Sequence, residues 1–237
     1  MMSKIIHRAD TRGIADHGWL KAKHSFSFAG YMNPERVHFG KLRVLNDDMI
    51  APAKGFGLHP HDNMEIITIP LSGVIAHKDN TGGNGRITAG EVQVMSAGTG
   101  LYHSEFNGSD EEWLSLLQIW VMPKEHNIAP RYDQRTFGLE GRKNQWQIVA
   151  SPMEADQALW INQDSKFLLS NLEAGNKLNY TPMLSDNGLY IFVIDGELEV
   201  EGEVLQKRDA LGVTGGHEVT FISKAGAEFL VIDVPMH

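Results

Sequence analysis

The chain has 237 residues, enough for one large all-β domain or two compact ones of about 100 residues each, and 42% of them are hydrophobic against 22% charged. That balance excludes a disordered or fibrous protein, and the lack of cysteine excludes disulfides, Fe–S clusters, thiolate zinc and a Cys nucleophile. A formal net charge of −9, with Lys and Arg scattered, argues against nucleic acid as a direct partner.

No apolar run reaches the roughly 18 residues of a membrane span, so no membrane partner is expected. The opening Met1 to Gly13 is polar and mixed in charge, unlike a secretory signal, and a cytoplasmic location is expected. Arg8, Arg12, Lys21 and Lys23 form a short basic cluster that reads as a solvated face rather than an anion patch.

Helical periodicity is hard to find. Short runs of β-formers recur instead: Lys41 to Asp47, Glu65 to Leu71, Val74 to Lys78, Glu91 to Met95, Trp113 to Val121, Leu189 to Asp195 and Phe229 to Val234. Strands of this length, spaced by Gly, Asn, Asp or Pro, point to sandwiches or barrels. Ser72-Gly73 and Asp195-Gly196 are the expected tight hairpin turns, and "NTGGNG" at Asn80 to Gly85 reads as a flexible hairpin tip.

The two turns also expose a repeat. "EIITIPLSGVIAHKD", "ITAGEVQVMSAGTG" and "LSLLQIWVMP" are echoed in order by "GLYIFVIDGELEVEG", "LQKRDALGVTGG" and "EFLVIDVP". The expected fold is therefore all-β, two packed antiparallel β-barrels from one duplicated plan. The polar stretch Pro130 to Gln145 is the junction, giving an N-terminal domain of residues 1–138 and a C-terminal domain of residues 139–237.

His59 and His61 flank Pro60 at the start of an apolar strand, and i, i+2 spacing puts both imidazoles on one face, about 7 Å apart. Taken alone, such a pair among 11 histidines is weak evidence. Further along, Tyr102-His103-Ser104-Glu105 repeats the spacing with an imidazole and a carboxylate. Two such pairs on adjacent strands make a metal cup of N and O ligands, where the bland alternative is polar residues at strand ends. Glu65 is read on the same strand parity as His59 and His61, facing inward with them.

The remaining histidines, His7, His17, His24, His38, His77, His126, His217 and His237, read as surface or satisfied core residues without partner spacing. His24 and His38 could approach the site, but nothing gives them a role. Neither HExxH nor GxSxG occurs, so zincin and α/β-hydrolase chemistry have no support. Aligning Gly73 with Gly196 puts Pro182, Leu184 and Gly188 where His59, His61 and Glu65 stand, so the second barrel is expected to hold no metal.

"HPHDNMEI" is similar to the first cupin motif and "GEVQVMSAGTGLYHSEFN" to the second, with Ser96 where a Pro is usual. "GFGLHPH", "MSAGTGLYHSE", "LQIWVMP" and the upstream "HGWLKAKHSFSFAGY" resemble the pirin family, well over Asp16 to Pro123 and only in pattern beyond. The resemblance implies a bicupin fold and one divalent transition metal ion in the first barrel on His59, His61, His103 and Glu105. Iron is the expected ion, with Ni, Cu, Mn, Co and Zn as alternatives.

Other cupins would use Glu65 as ligand; here it becomes a catalytic or supporting candidate beside Glu105. The resemblance further implies quercetin 2,3-dioxygenase activity, with a flavonol-like substrate and dioxygen as partners, or a role in transcriptional co-regulation through a protein partner. A metal-dependent isomerase would use the same ligands. Phe26, Phe28, Phe39 and Phe56 are candidates for the wall of an aromatic pocket.

Overall fold

The computed structural model describes residues 2–237. The chain is almost all β, and among the described residues helix is confined to three short 3₁₀ turns at Ala9–Thr11, Leu139–Arg142 and Glu154–Asp156. No helix is long and apolar enough to cross a membrane.

The first half makes two facing antiparallel sheets. A large sheet runs Arg131–Thr136, Glu91–Ser96, Glu65–Ser72, Leu114–Val121, Leu42–Ile50, Leu20–His24, Gly13–Asp16. A small one runs Gly55–His61, Leu101–Asn107, Val74–Asp79, Asn84–Thr88. Their hydrogen-bonded ladders end at edge strands. Ile75 and Ile87 of the small sheet pack against Leu20, Ile50, Leu114 and Leu116 of the large one, which fixes the sheets face to face.

The second half contributes nine strands of a ten-stranded sheet around Asn187–Val200, Lys166–Leu172 and Ala227–Pro235. The large sheet turns one face towards it. Leu45, Ile67, Ile69, Val94, Leu117, Ile119 and Val121 there share one buried cluster with Phe167, Leu169, Phe192, Leu230 and Ile232 of the second domain. Both faces of the large sheet are thus covered, which is why "EIITIP" is a nearly unbroken apolar run where a one-sided strand would alternate. Each such side chain taken from water stabilises by about 1.5–3 kcal/mol.

Residues two apart on the same strands, Asn46, Asp48, Thr68, Gln93 and Gln118, point the other way, towards the small sheet. The interior of the first domain is consequently polar. At the other end of the chain, Ser3–His7 leaves its own half and pairs antiparallel with Ala210–Thr214 of the second domain. Arg8 on Asp209 at 2.7 Å and Arg12 on Asp47 at 3.3 Å fasten this segment. Arg8 is therefore an interdomain bridge, whereas Arg12 pairs within the first domain and is buried rather than solvated.

The expected hairpins at Ser72-Gly73 and Asp195-Gly196 are corrected. Glu65–Ser72 and Val74–Asp79 do not pair with each other; the chain passes at Gly73 from the large sheet to the small one. Asn187–Val200 runs straight through Gly196, pairing with Ala227–Pro235 before it and with Glu203–Gln206 after it. Both glycines have φ of +80°, a conformation costly for other residues, so the shared signal marks a sheet-changing corner. The second hairpin turns instead at Glu201-Gly202, where both residues have positive φ.

Candidate metal centre

Leu101–Asn107 is the hub of the site. Its alternation buries Leu101, His103, Glu105 and Asn107 and exposes the residues between them. On one side His103 stands opposite His59 and Leu101 opposite His61. On the other, His103 stands opposite Asp79 and Glu105 opposite His77. Directly opposed residues share a face, so two His-x-acid or His-x-His pairs and a third, His77-x-Asp79, all project inward. A bulge between His103 and Glu105 sets the carboxylate against Phe56, one step out of register with the imidazoles.

The Nε2 atoms of His61 and His103 lie 2.9 Å apart. His59 lies over His103 with ring centroids 4.4 Å apart. Its Nδ1, 2.8 Å from the Gly57 carbonyl, donates there, which leaves Nε2 as a lone pair for the cup. Candidate ligand atoms of the three lie within 4.8 Å of one another. Burial, with the neighbouring His59 adding, pushes His61 down to about 4. Burial again, reinforced by His59, His61 and His77, pushes His103 down to about 2. Both rings are neutral at physiological pH and can offer lone pairs.

Glu105 stands on the inner side of His103, in a second group of candidate ligand atoms with His77 and His103. Its Oε2 accepts from Gln118 Nε2 at 2.9 Å and its Oε1 is 4.0 Å from His77 Nδ1. Burial raises this carboxyl to about 7 against the opposing Gln118 hydrogen bond. Three buried atoms here, His77 Nδ1, His103 Nδ1 and Glu105 Oε1, have no hydrogen-bond partner. Polar atoms this deeply buried are costly unless something satisfies them.

Glu65 goes elsewhere. The parity argument assumed one strand from His59 to Glu65, but the chain breaks at Asp62 to Met64, with Asn63 at φ 42°, and Glu65 starts a strand of the other sheet. Its Oε2 accepts from Ser96 Oγ at 2.8 Å and from the Asn162 amide of the second domain at 3.1 Å. Burial raises it to about 7, opposed by those two hydrogen bonds.

Of the aromatic candidates, Phe28 packs edge-on to Trp120, which itself stands 4.9 Å from His61. Phe56 is 6.3 Å from His59. Phe26 and Phe39 instead pack on Tyr190 in the interdomain core, at 5.3 and 5.4 Å. His24 bonds Asn46 within the first domain at 2.8 Å. Sequence reasoning missed His77, Asp79 and Trp120. His77 was read as lacking a partner, yet it has Asp79 at the same i, i+2 spacing, in line with core-facing Ile75.

The family model Pirin matches residues 7–121, and the quercetinase C-terminal cupin domain matches residues 148–234. A quercetin 2,3-dioxygenase of Escherichia coli is 38% identical over 235 residues, covering 97% of this chain and 98% of that protein. The chain belongs to the pirin family. A pirin-like protein of Caulobacter vibrioides is 42% identical over 225 residues, 94% of this chain and 96% of its own. The structure of the E. coli pirin YhhW in complex with nickel(II) superposes with a TM-score of 0.93 at 38% identity, covering 98% of this chain and 99% of that one. A pirin fold of two cupin-type domains is thus common to this chain and its relatives.

Proposed function

We propose that this pirin is a metal-dependent dioxygenase of flavonols such as quercetin, with one divalent ion held by His59, His61, His103 and Glu105. The observation that carries the reading is the convergence of three imidazoles on one point, two of their Nε2 atoms 2.9 Å apart, beside a buried carboxyl with an unpaired oxygen. Donors of this kind suit a transition metal, and an N and O set accepts several. Iron is the proposed occupant, with nickel the first alternative because the E. coli pirin was crystallised with it. The site is assigned to a first domain of residues 1–138, followed by a second of residues 139–237, each read as a cupin barrel.

A bound ion would polarise adjacent hydroxyl and ketone oxygens of the substrate. The chain does the rest. His59, held by the Gly57 carbonyl, keeps its lone pair aimed at the cup. Glu105, once released from the ion, could accept the substrate hydroxyl proton on Oε1, which has no other partner. Trp120, Phe28 and Phe56 give a flat aromatic ligand apolar faces beside His61 and His59.

The test is oxygen uptake with quercetin by protein loaded in turn with Fe, Ni, Cu, Mn and Co. Uptake by the parent and none by His59→Ala is expected. Full loading with neither flavonol binding nor oxygen uptake would replace this reading with a metal-responsive interaction module.

A further inference from the structure

Asp79 ends the Val74–Asp79 strand, and the following "NTGGNG" segment folds back onto its carboxylate. Oδ1 accepts from the Thr81 amide at 2.8 Å, the Thr81 hydroxyl at 2.7 Å and the Gly83 amide at 2.9 Å. A Cβ at Gly83 would collide with this carboxylate and stand 3.1 Å from the Tyr132 ring, so only glycine lets the chain close there. The segment is therefore a clamp on Asp79 rather than a loose tip. Its other oxygen, Oδ2, lies 2.9 Å from His77 Nε2, with both side chains fully buried. Tyr132 stacks on the far face of His77 at 4.6 Å, which fixes the ring plane.

These contacts decide a tautomer. An anionic carboxylate can only accept, so His77 carries its proton on Nε2 and presents a bare Nδ1 lone pair. That lone pair has no partner, faces Glu105 Oε1 across 4.0 Å, and belongs to a ring 5.3 Å from His103. His103 needs such an acceptor: with Nε2 turned to His61 and the cup, its proton in the metal-bound state must sit on Nδ1, which is buried without a partner.

We propose that His77, locked by Asp79, is a positioning residue of the metal centre, holding His103 in the Nδ1–H tautomer from the inner side. The proposal rests on the metal reading above. The chain Asp79, His77, His103 has the logic of a ligating histidine whose other nitrogen donates to a fixed acceptor, extended by one ring.

Asp79→Asn is the discriminating variant. Its side-chain carbonyl can keep the three Thr81 and Gly83 hydrogen bonds, but its NH₂ then faces His77 Nε2 and must donate there. His77 would be driven to the Nδ1–H tautomer and would offer His103 a donor where it needs an acceptor. Ring-nitrogen NMR shifts of the metal-free protein should show Nε2–H at His77 in the parent and Nδ1–H in Asp79→Asn. Zn(II) and Ni(II) affinities, from competition with a chelator, should fall roughly 10–100-fold in the variant, and the Co(II) absorption bands should shift.

His77→Gln, judged by the same affinity and spectrum, stands in if Asp79→Asn does not fold. An inverted tautomer with metal affinity within twofold of the parent would overturn the proposal, as would a parent His77 protonated on Nδ1. Failure of the parent itself to bind any of these ions would overturn the metal reading, and this inference with it.

Discussion

The two domains share a plan and differ in what they enclose. Between its strands the C-terminal half packs Leu168, Leu189, Ile191, Val193, Leu198, Val200, Phe221, Phe229 and Val231 into one continuous apolar cluster. The N-terminal half divides its apolar interior into two small clusters and gives the space between to Asn46, Asp48, Thr68, His77, Gln93, His103, Glu105 and Gln118. Several of these keep atoms without partners, among them Asp48 Oδ1 and both amide atoms of Gln93. One half has its interior given to stability and the other to a site, and the cost of the second is carried by the first through their shared core.

The sharpest way to break that contrast is through the ion. His103→Ala should take metal content from one equivalent per chain to none, with at least a 100-fold loss of affinity, while no substitution in the C-terminal half should change the stoichiometry. Glu105→Ala should lose more metal than Glu65→Ala, since Glu65 is bound to Ser96 and Asn162. Metal analysis after gel filtration reads both; two equivalents, or equal retention in the two Glu variants, would contradict the assignment.

Next comes the apolar half. Phe229, fully buried and stacked on Phe221 at 5.6 Å, should cost about 3–5 kcal/mol on truncation to Ala, read from urea unfolding.

In the polar half the sign reverses. Burial, with Asp47 and Glu105 adding, raises Asp48 to about 8 from 3.8. Below the unfolded value both states hold the proton and nothing is lost. Between the two values the unfolded chain ionises first, so stability falls as pH rises and levels off above about 8. Asp48→Asn removes that slope. It should match the parent near pH 4 and exceed it near pH 8 by several kcal/mol; a parent whose stability rises over that window would exclude the assignment. Glu65→Gln should behave likewise but more weakly, by roughly 3 kcal/mol, with its slope ending near its value of about 7.

Much of this was legible in the residues. Strand runs such as Glu65 to Leu71 and Val74 to Lys78 differ from Glu65–Ser72 and Val74–Asp79 by one residue, because β-formers bounded by Gly leave little choice of limits. The convergence of His59, His61 and His103 was legible because i, i+2 spacing survives folding within one strand. Glu65 was misplaced because parity carries no information across a break, and Asn63 makes one. The corners at Gly73 and Gly196 look like hairpins in sequence, since a positive φ is needed for either and the pairing partner is remote. His77 could have been found by applying to "HKD" the test applied to "HPH" and "HSE". Phe26 and Phe39 could not: no local pattern tells an interdomain core from a pocket wall.

The crossing of Ser3–His7 into the far sheet has a kinetic side. Ser3 pairs with Thr214 and His7 with Ala210, so this strand has a partner about 200 residues further along the chain. Closing so long a loop costs little more entropy than closing a moderate one, but a contact of such sequence separation is slow to form. The C-terminal half, expressed alone, would expose Ala210–Thr214 as an unpaired edge inviting another chain.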